Sequence, residues 1–224
     1  MSDYIFVLLL DVPQEIDDRF NTLYDTDHLP LMMQVPGIRR SSRYRLNWSD
    51  NPDMLRYLTL YDIDDPELPR GEDWKRQSGL GAWPTEMRDR VTARRNGVFR
   101  KLAGHRASEG SQKGEGWSEH LYFLQQGIPP ALEERFNLLY DTDHIPLMLQ
   151  APGVNGCERF RLVWSGTGDV PDYLTLYDID GPDLPRSPAW KAQTNKGRWP
   201  IEMRPNFTAR RNGAYSRISQ FTAP

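Results

Sequence analysis

Hydrophobic and polar positions divide the first part of the chain into six elements. Tyr4 to Leu10 is a continuous apolar run ended by Asp11-Val12-Pro13, the pattern of a strand covered on both faces. From Arg19 to Gln34, Phe20, Leu23, Tyr24 and Leu31, followed by Val35, keep a helical spacing that also puts His28 on the buried stripe. Pro30 lacks an N–H and crowds the turn before it, so this helix should bend or loosen just after His28, and Pro36-Gly37 should end it. Two alternating runs follow, Arg39 to Trp48 and Arg56 to Ile63, each reading as a strand. Pro66 to Gln77 predicts a shorter helix carrying Trp74 inward, and Val91 to Lys101 a last strand.

The same pattern then returns. Tyr24-Asp25-Thr26-Asp27-His28-Leu29-Pro30-Leu31-Met32 reappears as Tyr140-Asp141-Thr142-Asp143-His144-Ile145-Pro146-Leu147-Met148, an offset of 116 residues that holds without a gap from Tyr4 to Leu102. Between Arg19 and Gly97 about three positions in five are identical to their partners, so the chain reads as a tandem duplication. The predicted domains are residues 1–102 and 117–224, joined by a small, polar, glycine-rich linker at 103–116.

Strand-helix-strand-strand-helix-strand is the ferredoxin-like plan, an α+β fold. A lone four-stranded sheet with helices on one side leaves its other face bare. Two tandem units bury those faces by packing their antiparallel sheets into one intramolecular α+β barrel.

Composition narrows the class. A net charge of −3 and the lack of a long basic run argue against a nucleic-acid partner. The single cysteine, Cys157, excludes an internal disulfide and fits a reducing compartment. Ile5 to Leu10 is too short to span a membrane, so a soluble cytoplasmic protein is expected, with further homodimerisation left open. Seven Trp, ten Tyr and eight Phe favour a pocket for a flat ligand, although a packed core uses the same residues.

His28 and His144 are the candidate proton-transfer residues, since imidazole titrates near ~6.5 and can give or take a proton at neutral pH. The competing reading of each is a hydrogen-bonded core histidine. Asp25 and Asp141, one helical turn before them, could orient the rings. A metal at Asp25-Thr26-Asp27-His28 is disfavoured, because successive helix residues diverge by about 100°. Tyr24, Tyr140, Tyr61 and Tyr177 could supply ring contacts and phenol donors; Trp74 and Trp190 read as packing.

The run Tyr-Asp-x-x-His-x-Pro, then Val-Pro-Gly, then Arg43-Tyr44-Arg45-Leu46 and Tyr57-Leu58-Thr59-Leu60-Tyr61, resembles the EthD-like branch of the dimeric α+β barrel superfamily. That resemblance implies a site between helix and sheet with the helix histidine pointing in, and a second-strand pocket position at Ser41 and Cys157. The tyrosine that serves there in methylmuconolactone isomerases is missing. Alternation along the strand carries the same face to Arg43 and Arg45, and to Arg159 and Arg161, suited to gripping a carboxylate or phenolate. The resemblance spans several reaction types. With histidines to move a proton and arginines to hold an acid group, the leading expectation is a cofactor-independent lyase or isomerase acting on a small aromatic, carboxylate-bearing compound. The alternatives are a cofactor-free monooxygenase, a haem protein with the helix histidine as axial ligand, and a non-catalytic ligand-binding barrel. Arg39 and Arg40, present only in the first copy, predict that the His28 site does more of the chemistry on an anion.

Overall fold

In the computed structural model, which describes residues 2–107 and 117–223, the apolar run forms β1 (Tyr4–Asp11). A helix follows in three segments: α1 (Asp17–Leu23), a π turn (Tyr24–His28) and α2 (Leu29–Met32). Then come β2 (Ile38–Trp48), β3 (Tyr57–Ile63), α3 (Glu72–Ser78), a short α4 (Trp83–Glu86) and β4 (Ala93–Arg106). The second half repeats this order as β5 (His120–Gly127), α5 (Glu133–Leu139), a π turn (Tyr140–His144), α6 (Ile145–Met148), β6 (Val154–Ser165), β7 (Tyr173–Ile179), α7 (Pro188–Thr194), α8 (Trp199–Glu202) and β8 (Ala209–Thr222).

The eight strands close into one antiparallel barrel in the order β1-β3-β2-β8-β5-β7-β6-β4. Two seams, β2 with β8 and β4 with β6, join the halves. Alternation sorts β1 cleanly. Ile5, Val7 and Leu9 point into the barrel, where Phe123, Leu121 and Tyr215 from the other half meet them, while Phe6, Leu8 and Leu10 face the helices outside. No helix among the described residues is long and apolar enough to cross a membrane.

Three elements differ from the sequence reading. The helix loosens over Tyr24–His28 rather than just after His28. Leu29 N–H donates to Tyr24 O, five residues back, and this π turn takes up the register that Pro30, without an N–H, cannot continue. Residues 103–106, expected in the linker, extend β4 because Ala103 to Arg106 go on pairing with Arg159 to Gly156. The rest of that stretch, 108–116, lies outside the described residues. The short helix α4 was not anticipated. It is held by Asp27, whose carboxylate accepts from Ala82 N at 2.9 Å and Trp83 N at 3.3 Å.

Gly81 precedes that contact with φ of +72°, and a Cβ there would collide with the Asp27 carboxylate. Gly81→Ala should therefore lower stability by ~1–3 kcal/mol. Gly168→Ala, with nothing within 4 Å of the added carbon, should stay near the parent. Paired thermal melts check this, and equal melting points would contradict the clamp.

Candidate active site

The stretch Tyr24–His28 lies where the π turn brings Tyr24 and His28 onto one side of the helix, ring centroids 5.0 Å apart. Trp83 stacks on the other side of His28 at 4.7 Å and 26° between planes. Asp27 and His28 thus act on one element: the aspartate caps α4, and α4 delivers the tryptophan to the histidine. His144 has the same neighbours, Tyr140 at 5.1 Å and Trp199 at 5.0 Å, with Asp143 accepting from Arg198 N and Trp199 N.

A cavity of about 410 Å³ opens beside His28. Its floor is the helix-facing side of β1, through Phe6, Leu8 and Leu10, with Tyr61 from β3, while Arg94 from β4, an exposed residue, lines its open side. Its walls are Tyr24, Met32, Trp74, Trp83 and Val91, and Lys75, Arg88 and Arg94 bring positive charge to it. Among the described residues lining it there is no carboxylate. The size falls in the range of small-molecule sites, ~300–1,000 Å³.

His28 is 6% exposed and its Nδ1 is buried without a hydrogen-bond partner. Burial is the main reason its pKa drops from 6.5 to about 3; Asp27 opposes that, and Arg88, Arg43 and Arg94 add to it. His144 is likewise lowered to about 3, by burial and then by Arg204 and Arg159. Both imidazoles are neutral at pH 7. The Tyr61 and Tyr177 phenols are pushed well above their ordinary range by burial, and Tyr140 up to about 12, so these are donors rather than phenolates.

Several expected site residues stand elsewhere. Arg43 is 1% exposed and spent on the fold: it pairs with Asp25 at 2.7 Å, donates to Asn21 Oδ1 at 2.9 Å and lies 4.3 Å over the Tyr24 ring. Arg159 repeats this with Asp141 at 2.6 Å and Asn137 at 2.7 Å. Arg45 and Arg161 are half exposed beside Asp17 and Glu133. The reason is strand order. The cavity lies over β1, and β3 separates β2 from it, so the arginine face of β2 is covered by α1 instead.

Asp25 does not orient His28, because it accepts from Arg43 and from Ser219 Oγ at 2.7 Å; Asp141 accepts from Arg159 and meets His105 Nε2 at 3.2 Å. Ser41 is buried opposite Tyr61 on the strand pair and does not line the cavity. Cys157 is buried too, its thiol pushed up to about 12 by burial. Arg39 pairs with Asp64, and neither it nor Arg40 reaches the cavity.

Arg43→Ala should consequently read out in stability, at ~3 kcal/mol or somewhat more, since it leaves Asp25 and Asn21 without their buried partner. Chemical denaturation measures it. A variant as stable as the parent would refute the structural role.

The residues missed from sequence are Trp83, Arg88 and Arg94. All three recur 116 positions later, as Trp199, Arg204 and Arg210, and that persistence was the available signal.

No protein-family model matches the chain, and no curated protein matches it. Solved structures do. The chain is similar to an anthrone oxidase-like protein (12% identity, 98% of this chain and 92% of that one, TM-score 0.64). It is also similar to a Fusobacterium nucleatum protein provisionally assigned as a monooxygenase (7%, 99% and 95%, 0.61). A third match is an arginine variant of chlorite dismutase from Candidatus Nitrospira defluvii (13%, 96% and 92%, 0.60). The architecture is that of the dimeric α+β barrel proteins, here closed within one chain.

Proposed function

We propose that the protein is an enzyme that moves a proton on a small planar aromatic acid or phenol held in the first-half cavity, with His28 as base. The observation that carries this reading is the meeting of a neutral buried imidazole, aromatic walls and two arginines, Arg88 and Arg94, with no carboxylate lining the cavity. The third cation there, Lys75, is paired with Glu72 outside it. A neutral histidine is ready to accept a proton, and the resulting imidazolium, costly in a buried site, is stabilised by the negative charge just created on the substrate. Returning the proton at another carbon completes a double-bond migration, and expelling a leaving group completes a lyase reaction. Neither requires a group beyond substrate and histidine, which supports a cofactor-independent lyase or isomerase. The repeated motif and the repeated element order support a duplicated EthD-like unit.

A haem on His28 fits poorly. A metal-ligating histidine almost always donates its second ring N–H to a partner, whereas Nδ1 is buried without one and Asp25 is committed to Arg43. A second reading is favoured by the likeness to the anthrone oxidase-like protein: the same deprotonated phenol reacts with dioxygen as co-substrate. Candidate aromatic acids and phenols incubated in heavy water test the primary reading. Deuterium should enter recovered substrate or product, and oxygen uptake without deuterium incorporation would replace it with the second.

A further inference from the structure

The two halves share the histidine, the stacked tryptophan and both arginines, yet they treat the arginines differently. In the second half Arg210 is occupied: Nη1 donates to Asn212 Oδ1 at 2.7 Å and Nη2 to the Tyr122 hydroxyl at 3.3 Å. Arg204 donates to Asn195 Oδ1 at 2.9 Å and to Thr194. The first half keeps only part of this: Asn96, the counterpart of Asn212, turns its Oδ1 to Gly166 N at 3.1 Å, and the Tyr122 and Asn195 partners are missing. Phe6 stands where Tyr122 has its hydroxyl, and Gly79 stands where Asn195 has its amide. Among the described residues the Arg94 side chain makes no hydrogen bond or ion pair, and the Arg88 guanidinium donates only to Ser78 O, at 2.6 Å, the counterpart of the Arg204 bond to Thr194 O.

Space follows the same division. Val91 on the cavity wall is replaced by Phe207, whose ring lies 5.8 Å from Trp199, and Ser78 by the larger Thr194. Each of these changes adds bulk or a hydrogen-bond acceptor on the second-half side, and none adds a carboxylate. A guanidinium at the mouth of an aromatic cavity with its donors unspent is a receptor for a carboxylate or phenolate, because the planar fork matches two oxygens. One already hydrogen-bonded to neighbours must give those bonds up first.

We propose that the chain binds one aromatic anion, not two: Arg94, assisted by Arg88, anchors the acid group opposite His28, and Phe6 and Gly79 keep those guanidiniums available. The second half is a filled counterpart, in which Tyr122, Asn195 and Phe207 take the place of the ligand. This rests on the reading of the cavity as the active site and names the residues that select its substrate by charge.

Calorimetric titration of the full chain with salicylate, against its neutral amide as control, tests the assignment. Expected are one salicylate per chain, weaker binding of the amide, and a loss of ~10- to 100-fold in Arg94→Gln, the scale of a charge-assisted hydrogen bond. Arg94→Lys should recover part of the loss, Arg210→Gln should leave binding unchanged, and Phe6→Tyr should weaken it by capturing Arg94. Circular dichroism on each variant separates misfolding from loss of the anchor. Two salicylates per chain, equal affinity for the amide, an unaffected Arg94→Gln, or no saturable binding would each overturn the proposal. Failure of the proton-transfer reading looks different: His28→Gln would then keep turnover while one anion still bound through Arg94.

Discussion

Replacing His28 with glutamine lowers turnover of the true substrate by ~10²–10⁴, the usual contribution of a positioned general base, while His144→Gln leaves turnover near that of the parent. Glutamine roughly keeps the shape that stacks on Trp83 and removes the basic nitrogen, so the loss reports chemistry rather than packing. The pH profile gives an independent reading. With the His28 pKa held at about 3, kcat/KM should show no acidic limb near 6.5 and should run level through pH 5. A solvent-exposed histidine base would lose activity there. Equal losses from both single variants, or a limb near 6.5 that vanishes in His28→Gln, would contradict the assignment of a buried base in the first half alone.

Acid should destabilise the fold through the same two side chains. In the unfolded chain both histidines take up a proton near 6.5, whereas in the folded protein burial delays this to about 3. Their contribution is fully present above ~6.5 and is lost as pH falls toward 3, because the unfolded state binds protons first. The slope approaches ~1.4 kcal/mol per pH unit for each histidine, so the pair outweighs most single ion pairs on the surface. Denaturant titrations at pH 7, 6, 5 and 4 measure it, and the double variant His28→Gln, His144→Gln should show a flatter dependence than the parent. Parallel curves for parent and double variant would mean that the imidazoles are not held neutral by the fold.

Much of the architecture was legible because it depends on local patterns repeated at one offset. The apolar run of β1 and the alternation of β2 and β3 predict strands from their own residues, and the spacing of Phe20, Leu23, Tyr24 and His28 places the histidine on a buried face. The cavity's charge was not legible, because it depends on strand order. Alternation puts Arg43 and Arg45 on one face of β2 but does not say what covers that face; β1, not β2, lies under the cavity. Arg94 comes from β4, where its neighbour Arg95 has the same composition and the opposite fate, tied to Asp53 and Asp169 at the barrel's end. Trp83 depends on a four-residue helix held by the side chain of Asp27, 55 residues earlier than Ala82, and no periodicity announces that contact.

The two seams that close the barrel also remove a constraint. When a barrel is assembled from two identical chains, every substitution appears twice, so a residue that fills one cavity fills the other. Here β2 with β8 and β4 with β6 join halves that are encoded separately along one chain. Position 207 can become phenylalanine while position 91 stays valine, and position 195 can become asparagine while position 79 stays glycine. Across the seams each half still lends the other a tryptophan, Trp164 6.2 Å from Phe6 and Trp48 6.1 Å from Tyr122, so one half can specialise as a filled wall without withdrawing its support from the other. The other half is left to change with its ligand.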